Sequence, residues 1–251
     1  MSILEKALSH SKKIGIDECE IVTVEKKTTT VRITDSEIVE IKQNFDKKYG
    51  IRIIHQKKIV SIQTTDNQNI EKAIDNIFET ISNFKPRKFW EGLPYKTSAR
   101  KIEGTFDEKL EEISGKNSMD IAQSMINSAD SEKIDTITGS LNIVSEDFQL
   151  RNSQGLEFND KATYVSGIIN AESEQGNIPV SGIGHASGRT LSNFSKEQIG
   201  EDAKIMCIES INPQKIESDT YPIIFEPYSV GELLAFVVAS NFNFKTFTEK
   251  K

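Results

Sequence analysis

The sequence predicts an α+β protein in which helices pack on antiparallel meander sheets, with the order helix, strands, helix occurring twice. Three observations carry this. Apolar residues recur at three- to four-residue spacing over 2–15, 67–84, 107–129 and 195–211, the period of an amphipathic helix. Over 18–65 the period falls to two and β-branched residues dominate, and 134–190 alternates again, as on a pleated, half-buried surface. The breaks between the strand-like runs are short and polar, and short connections join antiparallel neighbours.

In the first helix, over 2–15, Ile3, Leu4, Ala7, Leu8 and Ile14 share a face; Ser2 can cap its start and Gly15 can take the left-handed turn that ends it. Five short strands follow: 21–24, 30–33, 38–41, 50–54 and 59–62. Their breaks fall at Lys26-Lys27, Asp35-Ser36, Asp46-Lys47-Lys48 and Gln56-Lys57-Lys58. The helix over 67–84 has the cleanest stripe, Ile70, Ala73, Ile74, Ile77, Phe78, Ile81 and Phe84, and Pro86 stops it. Residues 85–104 hold prolines, glycines and the single Trp90 among Lys and Arg, and read as an extended connector. A helical stretch interrupted near Gly115 leads to Ile121, Ala122, Met125, Ile126 and Ala129 on one face. The strand region 134–190 is rich in glycine, which marks turns and close backbone approaches. Asn152-Ser153-Gln154-Gly155 reads as a turn between Phe148-Gln149-Leu150 and Leu156-Glu157-Phe158. Ser195-Lys196-Glu197-Gln198 has the capping-box form; Ile199, Ala203, Met206, Cys207 and Ser210 continue that helix to Pro213. A last strand over 221–227 and a mainly apolar helix over 229–240 complete the chain. The expected domains are 1–104, 105–217, and 218–251 as the start of an incomplete third. An apolar helix so near the terminus needs a partner, so a further domain is expected downstream. Failing that, the helix should be sticky and drive self-association.

With 31 Lys+Arg against 38 Asp+Glu, the 251-residue chain has a net charge of −7. An acidic balance argues against nucleic acid as a partner, which calls for a basic surface. No apolar run approaches the ~18 residues of a membrane span, and the first residues lack the apolar stretch of a signal peptide. Cys19 and Cys207 stand far apart and outside any Cys-x-x-Cys pair, which fits a reducing, cytoplasmic compartment.

No catalytic or metal-binding constellation is complete. His10, His55 and His185 have no second His or Cys at ligand spacing. His10 and His55 read as solvated side chains. His185, within Gly182-Ile183-Gly184-His185-Ala186-Ser187-Gly188, has accessible backbone around it and is the better candidate for a contact. That glycine run has one residue too many for a dinucleotide loop and no immediate helix after it. Both cysteines read as small buried hydrophobes, and Glu108, Glu111 and Glu112 as a solvated helix face.

Four segments, in order, resemble the TldD/PmbA family, also described as microcin-processing or gyrase-modulator proteins. They are Tyr49-Gly50-Ile51-Arg52-Ile53 with Ile59-Val60-Ser61-Ile62-Gln63-Thr64-Thr65, then Arg151-Asn152-Ser153-Gln154-Gly155, then Ile199-Gly200-Glu201-Asp202-Ala203, and Tyr221-Pro222-Ile223-Ile224-Phe225-Glu226-Pro227. The family's metallopeptidases are zinc enzymes built as a heteromeric pair. One branch carries His-Glu-x-x-x-His on the helix after the Tyr-Pro strand. Here the corresponding residues are Ala235, Phe236 and Ser240, and zinc needs N, S or carboxylate donors. The resemblance therefore implies the PmbA-like branch: no catalytic residue and no cofactor in this chain, and zinc in a metal-bearing TldD-like partner subunit. It also implies a peptide substrate, held on a sheet edge through main-chain pairing. Trp90, Asn152, Ser153, Gly155 and His185 are the expected peptide or partner contacts. The alternative from another class is a non-enzymatic interaction or modulator protein unrelated to proteolysis.

Overall fold

The computed structural model describes residues 2–98, 102–243 and 246. They divide into two compact units, 1–212 and 213–251. Residues 99–101 of the expected connector and the chain end at 247–251 lie outside the described residues.

In the first unit, α1 (Ile3–Lys13) opens with a formed capping box between Ser2 and Glu5, and Gly15, at φ 82°, ends it. Three strands follow, β1 (Glu18–Thr34), β2 (Glu37–His55) and β3 (Lys58–Thr64), then α2 (Ile70–Thr80) with one 3-10 turn after it. Beyond the connector come the short α3 (Glu108–Glu111) and α4 (Gly115–Ala129). Next are β4 (Thr136–Asn152), β5 (Glu157–Ser173) and β6 (Val180–Gly188), and then α5 (Lys196–Glu209). Helix, strands, helix thus does occur twice. Both sets of strands belong to one antiparallel sheet, in the order β3-β2-β1-β4-β5-β6, so the boundary expected at residue 104 does not separate two sheets.

The structure corrects five local expectations. The five short strands of 18–65 are three, two of them long. Asp35-Ser36 and Gln56-Lys57 are true turns, all four residues with positive φ, as a two-residue hairpin requires. Lys26-Lys27 and Asp46-Lys47-Lys48 instead lie in mid-strand, facing each other across β1 and β2: Glu25 opposes Lys47 and Lys26 opposes Asp46. Opposite charges in register satisfy one another and the strands run on. Ser195 makes no capping hydrogen bond through its side chain. In the second unit 221–227 forms no strand, since an isolated strand has no ladder to join. Pro227 begins α6 (Pro227–Leu233), where its missing N–H costs nothing, and a π turn at Leu234–Val238 continues that helix. Neither His10 nor His55 is a solvated group. His10 Nε2 meets Asp75 at 2.7 Å, joining α1 to α2, and His55 Nδ1 is a buried atom 3.2 Å from Asp17 that makes no hydrogen bond.

All helices of the first unit cover one face of the sheet. Along β1 the residues Cys19, Ile21, Thr23, Thr29, Val31 and Ile33 are buried; all are odd-numbered, hence on one face. At one end α1 and α2 bury Leu4, Ala7, Ile70, Ile74 and Ile77 on Ile21, Tyr49, Ile51 and Ile53. At the other, α4 and α5 bury Ile121, Met125, Ile126, Ile199 and Cys207 on Val31, Leu141, Ile143, Val165 and Ile169. The glycine run of β6 is packing: a Cβ on Gly184 would stand 1.8 Å from the Ile199 carbonyl oxygen and one on Gly182 2.2 Å from the Cys207 nitrogen. No helix among the described residues is long and apolar enough to cross a membrane.

Candidate functional site

Between the two helical layers the sheet is roofed by neither, and its middle forms a charged cleft. A space of about 1050 Å³ is lined by 102–106 and by Asp147, Gln149, Glu157, Phe158 and Lys161. A smaller one of about 340 Å³ adjoins Glu25, Lys27, Phe45, Lys47 and Glu111. Across it Lys161 Nζ meets Glu111 at 2.8 Å and lies 5.5 Å from the centre of the Phe106 ring, and Lys27 Nζ donates to the Glu111 carbonyl at 2.8 Å. Lys47 donates to Glu25. Hydrogen bonding to these carboxylates raises the pKa of both Lys47 and Lys161 above the ordinary lysine value. Each of these ammonium groups is thus paired with an acceptor of this chain. The sequence reading missed this cleft because it took Lys26-Lys27 and Asp46-Lys47-Lys48 for turns. The available signal was the matching of Glu25 and Lys26 by Lys47 and Asp46 at hairpin spacing.

Four of the five expected contact residues meet at the α1 end of the sheet. The Asn152 side chain builds its own turn: its oxygen accepts from the N–H groups of Gln154 and Leu156, and its amide donates to the Pro94 carbonyl at 2.8 Å. Gly155 has φ 81°, which favours glycine there. The Ser153 hydroxyl accepts the Cys19 N–H at 3.1 Å. Trp90 is half-buried, and its indole N–H donates to Glu18 at 2.9 Å. The Glu18 carboxylate also accepts from the Leu93 N–H and the Gln154 amide, so one carboxylate anchors connector and turn together. His185 stands apart, exposed on the outer strand β6. Ile183 N–H points away from β5, to Met206 Sδ at 3.4 Å. By the alternation of backbone groups, Ser181, His185 and Ser187 also direct theirs away from β5.

Cys19 sits beneath this corner. Burial pushes its thiol up to about 11. Unfolded, the thiol ionises near its ordinary value, so between about pH 9 and 11 the unfolded chain releases a proton that the folded chain keeps. Stability then falls as pH rises through that window, by on the order of 2–3 kcal/mol. Urea unfolding at pH 8 and at pH 10.5 should show a larger alkaline loss for the wild type than for Cys19→Ala. Equal losses would place the thiol in water.

A family model described as PmbA/TldA metallopeptidase domain 1 matches residues 19–81, from the start of β1 through the turn that ends α2. Among solved structures the chain is similar to TldE from Thermococcus kodakarensis, at 17% identity and a TM-score of 0.87 over 99% of this chain and 57% of that one. It is similar to a candidate modulator of DNA gyrase from Bacteroides thetaiotaomicron, at 17% identity and a TM-score of 0.85 over 99% of this chain and 58% of that one. A candidate modulator of a DNA gyrase from Thermotoga maritima is similar at 19% identity and a TM-score of 0.76, over 86% of this chain and 50% of that one. At such identities the likeness establishes the fold. The chain spans about half the length of these structures. No curated protein matches it by sequence.

Proposed function

We propose, for a chain that belongs to the TldD/PmbA family through its first domain, a role as the PmbA/TldE-like subunit of a TldD/PmbA-type zinc metallopeptidase complex that processes peptides in the cytoplasm. The carrying observation is the family match at 19–81 together with likeness to TldE along 99% of the chain. In this reading the chain supplies surface and a metal-bearing TldD-like partner supplies the chemistry.

The donor set here does not suit zinc. Where the resemblance puts ligands and base, Ala235 and Phe236 have no donor atom, and the Ser240 hydroxyl is turned back on the Phe236 and Val237 carbonyls. Zinc sites use imidazole, thiolate or carboxylate. In this reading an extended peptide lies along the charged cleft over the middle of the sheet or adds to a sheet edge by main-chain pairing, which makes little demand on sequence.

Co-purification decides between this and a modulator unrelated to proteolysis. The chain should pull down a sister protein bearing His-Glu-x-x-x-His, and the complex should hold zinc and cleave peptides, while elemental analysis of this chain alone should find no stoichiometric zinc. One tightly held zinc per isolated chain, or a sister complex without peptidase activity, would refute the assignment.

A further inference from the structure

We propose that the Arg87–Trp90 turn of the connector, with the hairpin tip between β2 and β3 beside it, is a docking point for an anionic phospholipid surface. This does not rest on the peptidase reading.

The turn is small and held in place. Trp90 N–H donates to the Arg87 carbonyl at 3.1 Å, which closes a four-residue turn with Lys88 and Phe89 at its crown. Arg87 N–H donates to the Lys57 carbonyl at 2.8 Å, so the turn stands against the β2–β3 hairpin. On the other side Glu18 accepts from the Trp90 indole and the Leu93 N–H, and Leu93 is buried. The turn is thus pinned at both ends, and its crown leaves Phe89 in water, 87% exposed.

The charge around it is mostly of one sign. Lys57, Lys85, Arg87 and Lys88 are all exposed, and among the described residues none of them has an ion-pair partner. Over 84–95 the chain carries three cations and a single acid, Glu91, which follows the turn. Two acids beside it are already occupied: Asp17 accepts the Gln56 N–H at 2.7 Å, and Glu18 holds Trp90 and Leu93. The whole chain has a net charge of −7. At physiological ionic strength, however, charges act over about 8 Å, so a surface brought to the crown meets these cations rather than the total.

An occupant must suit both features. Unpaired lysines and an arginine attract phosphate, and each such cation gains from the negative potential of an anionic leaflet. A phenylalanine standing off the crown can enter the boundary between headgroups and acyl chains, where it leaves water. Shape chooses among polyanions. Single-stranded nucleic acid lies in a groove with aromatic platforms, whereas a projecting crown flanked by cations meets a flat, deformable surface.

Vesicle sedimentation of the full chain provides the test. At physiological salt the chain should bind vesicles of equimolar phosphatidylglycerol and phosphatidylcholine and leave pure phosphatidylcholine vesicles unbound. At about 1 M salt, where the screening length is about 3 Å, binding should be lost. Lys88→Gln should weaken it about fivefold, the effect of one cation at such a surface. Phe89→Ser should weaken it about tenfold, because the ring no longer leaves water. Emission from Trp90, the single tryptophan, should be the same in both variants as in wild type, since the turn is still held on Glu18. The competing explanation is the second unit, where Leu234 and Phe236 are exposed; it predicts binding to both kinds of vesicle and no effect of either variant. Absence of binding to anionic vesicles, equal binding to neutral ones, or variants that bind as wild type does would each overturn the proposal. So would binding of oligodeoxythymidylate in preference to the vesicles.

Discussion

Gly184→Ala should cost the fold at least about 3 kcal/mol, at the upper end of what an overfilled core costs. The new methyl would stand 1.8 Å from the Ile199 carbonyl oxygen and 2.8 Å from the Ala203 nitrogen. Both are backbone atoms of α5, so no side chain can swing aside; the helix must lift from β6. Lifting also disturbs the opposite side of α5, where a Cβ on Gly200 would already stand 2.3 Å from the Met125 carbonyl of α4. Gly115→Ala is the control, because nothing lies within 4 Å of that position and alanine favours a helix start over glycine. Urea unfolding should show a large drop for Gly184→Ala and a small gain or no change for Gly115→Ala. Equal midpoints would mean that α5 rides higher on the sheet than described.

Ile77→Ala should destabilise by about 2–5 kcal/mol, as large-to-small core changes do. Ile77 is 6% exposed and belongs to the cluster that holds α2 on the sheet with Ile70, Ile74 and Ile81. Phe84→Ala makes the comparison. The sequence placed Phe84 on the same stripe, yet it is 44% exposed, because the helix has ended and the chain has turned before it arrives. Its truncation should cost well under half as much. The thermal midpoints of the two variants check this; similar losses would show that α2 is not anchored by its stripe.

The helices and their buried faces were legible in the sequence, because a 3.6-residue period is local and each helix here has one core to meet. Ile121, Ala122, Met125, Ile126 and Ala129 are all buried on α4, as their spacing requires. The hairpin turns at Asp35-Ser36 and Gln56-Lys57 were legible for the same reason: turn chemistry is confined to the turn. The candidate site was legible only in part. Asn152 and Gly155 stand out as turn residues from sequence alone. That Asn152 also grips the Pro94 carbonyl, and that Trp90 reaches Glu18, depends on the connector passing over that corner.

The sequence by itself determined the class α+β, the repeated helix, strands, helix order, the stripes that become the core, and the absence of donor side chains at Ala235 and Phe236. Local periodicity and residue chemistry are sufficient for each of these. Only the tertiary structure decided that all six strands make one sheet, since β1 pairs with β4 across more than a hundred residues of chain and strand pairing leaves no local signature. Only it decided that Lys26, Lys27, Asp46 and Lys47 sit in mid-strand. Polar residues next to one another read as a break until the opposing strand supplies the opposite charge, and that supply is a fact of register. The glycines of β6 follow the same rule: their density was visible, but the atoms that forbid a Cβ at Gly182 and Gly184 belong to a helix that begins after the strand has ended.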